Sequence, residues 1–251
     1  MASPVRKLAL VIGNNEYMEG KKLRYCINDA LDLKNKLHSI GFVVTAATDL
    51  TFQEMNIQIN NFTRTIKPHD LVVFFFSGHG TQWHDQNFLM PIDDQKIDPL
   101  ETIKFRAIHV QTTLNNFMAC GPSAAILLLD CCREYLLPNE AATRGSGGNE
   151  NHQGLSKINS LRGSYIAFAC DAGRTTSDRS ANGRNGIFTA HILQHIATPN
   201  LTFDQIMNQV CKGVVAESKE KYWPFRVTGL RSDVFLNRQV NIGESVSLIT
   251  S

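Results

Sequence analysis

The chain predicts an α/β fold: a mainly parallel sheet of about six strands with helices on both faces. Three observations predict it. Short apolar runs alternate along the sequence with segments of helical period. Two of those runs, 71–76 (LVVFFF) and 124–129 (AAILLL), are apolar throughout, as strands buried on both faces require. The composition agrees, with 43% hydrophobic and 19% charged residues in 251, the balance of a globular domain.

The elements follow in order. Residues 7–12 (KLALVI) read as a first buried strand, closed by Gly13-Asn14-Asn15. A helix over 27–37 places Ile27, Ala30, Leu31 and Leu37 on one stripe, and Gly41 stops it. Residues 42–46 form a second strand, and 52–66 a helix with Met55, Ile59, Phe62 and Ile66 inward. The run 71–76 is the strongest strand in the chain. A short strand near 88–90 and a helix near 110–118 lead to the central strand 124–129, which ends at Asp130. Residues 138–160 include ATRGSGGNENHQG, nearly devoid of large apolar side chains, and read as an open loop. Beyond it lie a strand at 164–169, a polar stretch at 171–184, helices at 187–196 and 203–215, and a final strand at 233–236.

Charge and cysteine content exclude several classes. Lys plus Arg number 25 and Asp plus Glu 23, a formal +2 that leaves no basic surplus for a dedicated nucleic-acid binder. No apolar run approaches the roughly 20 residues that span a bilayer, so no membrane partner is expected. The opening MASPVRKLALVIG reads as a strand rather than a secretory signal. Six cysteines (Cys26, Cys120, Cys131, Cys132, Cys170 and Cys211) without such a signal predict reduced thiols and a cytoplasmic protein.

Two strands run directly into reactive side chains. The run 71–76 is followed by Ser77-Gly78-His79-Gly80, and 124–129 by Asp130-Cys131-Cys132-Arg133. In a parallel sheet both ends fall at one edge, where functional groups of such folds collect. A thiol that attacks a carbonyl and an imidazole that handles the protons is what a cysteine peptidase needs. Gly78 and Gly80 allow close passage of backbone, and the Gly78 amide is placed to bind a developing oxyanion.

With these residues the sequence resembles the caspase-like cysteine peptidases, of the metacaspase and paracaspase type. KLALVIGNNEY, LRYCINDALDLKNKLHSIGF, VVFFFSGHG and LLLDCCR carry the resemblance, which extends over about 7–236. The second segment, with Leu23, Cys26, Asn28 and Asp29, is similar to metacaspases. Arg133-Glu134-Tyr135 after the cysteines is closer to paracaspases, so the subfamily stays open. The resemblance implies a caspase-like sandwich filling residues 1–240. Within it, 1–137 is large-subunit-like, 138–160 an inter-subunit loop and 161–240 small-subunit-like, with a tail at 241–251. It implies His79 as the catalytic histidine and Cys132 as the nucleophile, with Cys131 a packed thiol.

By the same resemblance, Asp29, Asp130 and Asp178 line the first substrate pocket. Converging carboxylates suit an arginine guanidinium, which they hold in bidentate fashion. The expected activity is hydrolysis of peptide bonds after Arg, less well after Lys, with self-cleavage after Arg144 in the open loop; Lys157 and Arg162 are fallback sites. Two alternatives stand beside it: an aspartate-specific peptidase, for which Arg24 is the candidate cation, and an inactive adaptor that keeps the fold. Many metacaspases hold calcium through aspartates. Here Asp93 and Asp94 match only part of that set, and Arg106-Ala107-Ile108-His109 stands where an acidic pair is expected, so no calcium requirement is expected. No spaced Cys/His set for zinc is present either. Partners are protein or peptide substrates with a basic residue at the cleavage site. The oligomer is a monomer or a homodimer paired through 233–236. Trp83 and Trp223-Pro224-Phe225 are candidate walls of the substrate groove.

Overall fold

The computed structural model describes residues 5–84, 86–97, 100–131, 160–169 and 180–239. Its first half runs β1 (Lys7–Gly13), α1 (Cys26–Ser39), β2 (Val43–Thr48), α2 (Phe52–Thr65) and β3 (Leu71–Gly78). A short hairpin follows, β4 (Gly80–Trp83) and β5 (Gln86–Leu89), then α3 (Ile103–Arg106), β6 (Ile108–His109), α4 (Val110–Ala119) and β7 (Ala124–Cys131). The rest comprises β8 (Ser164–Phe168), α5 (Ile187–His195), α6 (Phe203–Glu217) and β9 (Phe225–Thr228).

Six strands make one sheet in the order β2-β1-β3-β7-β8-β9. The first five are parallel, and β9 runs antiparallel to β8. Strand alternation divides the core into two layers. Val73 and Phe75 of β3, with Ile126 and Leu128 of β7, meet Leu33 and Leu37 of α1, Ile192 of α5 and Ile206 of α6. Phe74 and Phe76, with Leu127 and Leu129, meet Met55, Ile59 and Phe62 of α2 and Leu114 and Phe117 of α4. Helices cover both faces, the caspase-like α/β sandwich that the sequence predicts. α2 and α6 open with capping boxes, Thr51 with Glu54 and Thr202 with Gln205, which fix where each helix starts. β4, β5 and β6 form a separate antiparallel sheet over a small cluster of Tyr17, Phe88, Met90, Ile97 and Ile103.

Two expectations are corrected. Leu31 does not join the buried stripe of α1: it is exposed, and Leu33 takes its place in the set Cys26, Ala30, Leu33, Leu37. The misreading comes from phase, since steps of three and four residues from Cys26 pass over position 31. Residues 233–236 are not a strand, so pairing of two copies through them has no ladder to use. Their backbone is spent elsewhere, with Val234 O accepting from Phe203 N and Leu236 O from Lys7 Nζ. The edge strand is β9, whose four residues alternate half-buried and exposed. Of the expected loop 138–160 only Ser160 lies among the described residues, and the tail 241–251 lies wholly outside them. Among the described residues no helix is long and apolar enough to cross a membrane.

The order places β1 between β2 and β3, and the winding reverses there. In doubly wound sheets that reversal opens a crevice at the carboxyl ends of the strands. β1, β3 and β7 all end on that edge, and Gly13, His79 and Cys131 stand at or just beyond their ends.

Candidate active site

The β3–β7 register sets Ser77 beside Asp130 and Gly78 beside Cys131. His79 follows Gly78 directly. Cys132, the expected nucleophile, follows Cys131 and lies outside the described residues. Cys131 itself is buried in the core layer with Phe76 and Leu129, the packed thiol expected.

His79 is held from three sides. Its ring Nε2 lies 2.7 Å from the Lys21 carbonyl oxygen. A carbonyl can only accept, so Nε2 carries a hydrogen, and in the neutral ring Nδ1 carries the basic lone pair. The backbone N–H of His79 donates to the Tyr17 hydroxyl at 2.7 Å, and that hydroxyl donates to the Met90 carbonyl at 3.3 Å. The Tyr17 ring also packs on the imidazole, with centroids 4.4 Å apart. Burial drives the Tyr17 phenol well above its ordinary pKa, so it remains a neutral donor. Gly78 has a reason different from the expected one. A Cβ there would lie 2.5 Å from the Tyr17 hydroxyl and 2.7 Å from the Phe76 ring, so the glycine admits Tyr17. Gly80 opens β4, is buried, and pairs with Leu89.

The acidic candidates gather one strand-end away. Asp29, in the first turn of α1 and 1% exposed, accepts from Ser77 Oγ at 2.9 Å and from the Gly186 amide at 3.0 Å. Asp130 accepts from Thr189 Oγ1 at 2.6 Å and from the Thr189 amide at 3.2 Å. Both carboxylates therefore rest on the N-terminal turn of α5, where exposed amides and the helix dipole favour anions. They converge on Gly186: a Cβ there would meet Asp130 Oδ2 at 3.0 Å and Asp29 Oδ2 at 3.3 Å. Burial first, and repulsion from Asp130 second, push the Asp29 carboxyl up to about 8, against the hydrogen bonds that favour its anion. Burial and the neighbouring acid thus favour the protonated form of Asp29.

Segment 180–186 carries Gly186 to this position and is pinned at both ends. The Ala181 amide donates to Glu217 Oε1 at 2.7 Å, and Glu217 Oε2 meets His191 Nε2 at 2.8 Å. Arg184 forks onto Asp32 of α1 through Nε (2.6 Å) and its terminal nitrogen (2.8 Å), and Asn28 donates to the Arg184 carbonyl. None of Tyr17, Lys21, Ser77, Gly186 or Thr189 stands out in the sequence as a site residue. Tyr17 sits inside the resembling segment KLALVIGNNEY, which is the one signal that could have found it.

Other expected residues divide. Asp178 and Arg144 lie outside the described residues, as does Lys157; Arg162 is described. Asp93 and Asp94 are buried and turned onto the protein's own donors: Phe52 N and Lys96 Nζ on Asp93, Glu19 N and Gly20 N on Asp94. A calcium ion needs several free oxygen ligands, which these two carboxylates do not fit. Among the described residues no group of three or more His, Cys, Asp or Glu stands close enough to hold a metal. Arg24 is exposed. Trp83 packs against the small cluster under β4 and β5. Phe225 pairs with Phe168 at the carboxyl end of β8, and Trp223 is half exposed beyond it, over a groove of about 710 Å³ with Cys211 and Val215 of α6.

The sheet order, the Gly-His-Gly after β3 and the paired acids define a class, and comparison with known proteins agrees. The Caspase domain pattern matches residues 6–235, so the chain belongs to the caspase-like peptidase family. Within that family it is of the metacaspase and paracaspase type. It is 29% identical over 128 residues to the human Mucosa-associated lymphoid tissue lymphoma translocation protein 1, covering 51% of this chain and 15% of that protein. Metacaspase-3 of Arabidopsis thaliana is 25% identical over 242 residues, 83% of this chain and 65% of its own. The Paracaspase of Dictyostelium discoideum is 23% identical over 198 residues, covering 76% and 44%. The chain spans less than two thirds of the length of each of these relatives.

Proposed function

We propose that the protein is a cysteine endopeptidase that cleaves after arginine, and less well after lysine. The observation that carries this reading is the convergence of Asp29 and Asp130 on Gly186, one strand-end from His79. Two carboxylates that converge on one backbone position suit a planar guanidinium, which carboxylates meet in bidentate fashion. Asp178 is proposed as a third acid of the same pocket.

In the proposed reaction Nδ1 of His79 takes the proton of the Cys132 thiol, and the sulfur attacks the carbonyl carbon of the scissile bond. The C–N bond breaks as His79 delivers that proton to the leaving amine. Water, deprotonated by the same nitrogen, then hydrolyses the thioester and regenerates the thiol. The backbone at Gly78 and Gly80 flanks the histidine, and the Gly78 amide is the proposed oxyanion donor. No step requires a metal. The proposed setting is the cytoplasm, with substrates met as exposed protein segments.

The test is a fluorogenic peptide with Arg before the reporter, run beside Lys-ending and Asp-ending versions. Turnover in the order Arg, Lys, Asp that vanishes in Cys132→Ala is the expected result. Preference for the Asp peptide, or no turnover of any peptide, overturns the reading, the latter in favour of an adaptor. Intact mass of the same two preparations reports on Arg144. Fragments ending at that residue are expected from the wild type alone.

A further inference from the structure

Outside the reacting groups, the loop between β1 and α1 carries the least expected chemistry. Asn14, Asn15 and Tyr17 anchor its start through buried side chains, whereas Glu16, Met18, Glu19, Lys21 and Lys22 are exposed. Backbone amides hold that exposed part, with Met18 N on the Ile92 carbonyl and Leu23 N on that of Asn15. At its base the amides of Asn15 and Glu16 share Asp49 Oδ1 at 2.7 and 3.0 Å. At its tip the amide of Glu19 donates to Asp94 Oδ1 at 2.9 Å, and that of Gly20 to Asp94 Oδ2 at 2.8 Å. Asp94 comes from a turn some 75 residues further along the chain and is 1% exposed. One residue beyond the clamp lies the Lys21 carbonyl, the acceptor for His79 Nε2 at 2.7 Å.

We propose that Asp94 is a positioning residue for the base: by clamping Glu19 and Gly20 it aims the Lys21 carbonyl at His79 and so fixes the imidazole tautomer. The proposal rests on the reading of His79 as the base. Charge-assisted bonds to two successive amides are short and directional, and they fix the point from which the chain runs on to the Lys21 peptide. Were the Lys21 peptide to turn, Nε2–H would lose its acceptor and the Nδ1–H tautomer would compete. That tautomer has no lone pair on the nitrogen that takes the thiol proton. Asparagine cannot replace the acid at 94, because the two amides sit on separate oxygens and its NH₂ would face one of them donor to donor.

The experiment uses the full chain with ¹⁵N-labelled histidine, read by long-range ¹H–¹⁵N spectra of the His79 ring, beside kinetics on the Arg reporter. Wild type is expected to show the Nε2–H tautomer. Asp94→Asn shifts His79 to a mixture and lowers kcat by roughly tenfold, with KM within about twofold. Asp49→Asn, at the base of the same loop, retains the one oxygen that both base amides share and keeps the tautomer. An Asp94→Asn protein with unchanged tautomer and kcat overturns the proposal, as does an equal tautomer shift in Asp49→Asn. Should Asp94→Asn not fold, Asp94→Glu keeps both acceptors but displaces them by one methylene. It is expected to lower kcat about threefold, and an unchanged kcat overturns the proposal. The spectra need no turnover, so failure of wild type to cleave any peptide would sink the peptidase reading and still leave the role of Asp94 decided.

Discussion

The histidine corner and the acid corner stand side by side on one sheet edge, yet they are built by opposite means. His79 is held by neutral groups: a carbonyl, a phenol and a packed ring. Asp29 and Asp130 are held by Ser77 of β3 and by the Gly186 and Thr189 groups at the start of α5, and burial first, with repulsion between the two acids second, raises the proton affinity of Asp29. Geometry therefore governs the first corner and charge the second. Substitutions near His79 should alter rate without altering the pH dependence of binding. Substitutions at the acids should do the reverse.

The largest effect expected from breaking this division is at the acids. Asp130→Asn or Asp29→Asn would remove the proposed charge-assisted contact to a substrate guanidinium, worth about 1.5–3 kcal/mol. At 1.4 kcal/mol per factor of ten, the Arg peptide should lose roughly 10–100-fold in kcat/KM. The loss should appear mainly in KM, measured by steady-state kinetics. A loss confined to kcat would show that the acids do not face the substrate.

A smaller effect follows from pH. Because Asp29 is raised to about 8, it is largely protonated at pH 6 in the free protein. An arginine in the pocket favours the anion, so binding releases a proton, and KM for the Arg peptide should fall as pH rises from 6 to 8. The slope is at most about tenfold per unit. The sign reverses for folding. The native state holds this proton more tightly than the unfolded chain, so the stability it contributes is present at low pH and is lost between about 4 and 8. Asp29→Asn should flatten both curves, in kinetics and in thermal melts across that range.

The smallest effect tests the histidine corner. Tyr17→Phe removes the hydroxyl that accepts from the His79 amide and one of two donors to the Met90 carbonyl, which keeps Asn14 Nδ2, at about 1–2 kcal/mol. The melting temperature should fall roughly 2–8 °C for a chain of this size. The dependence of KM on pH should not change. A changed dependence would mean that the two corners are electrically coupled.

Local signals made most of the scaffold legible. The runs at 71–76 and 124–129 form β3 and β7, and Met55, Ile59, Phe62 and Ile66 all point inward as their spacing predicts. Asp29 and Asp130 were legible only through resemblance, because no local rule brings residues 101 positions apart to one glycine. The last strand was misplaced for a physical reason. Val234, Phe235 and Leu236 look more strand-like than Phe225-Arg226-Val227-Thr228, but a strand is made by its neighbour's free edge, and β8 offers that edge to β9.

The sequence by itself determined the alternation of elements, the two-sided burial of the central strands and the position of His79 at a strand end, because each depends on residues adjacent in the chain. Tertiary structure alone decided what surrounds that histidine. Tyr17, the Lys21 carbonyl, Asp94 and the α5 turn under the acids are brought together from distant segments, and several act through backbone atoms that every residue type possesses. Such contacts leave no mark in composition or period. They exist only once the sheet has set the strand ends side by side.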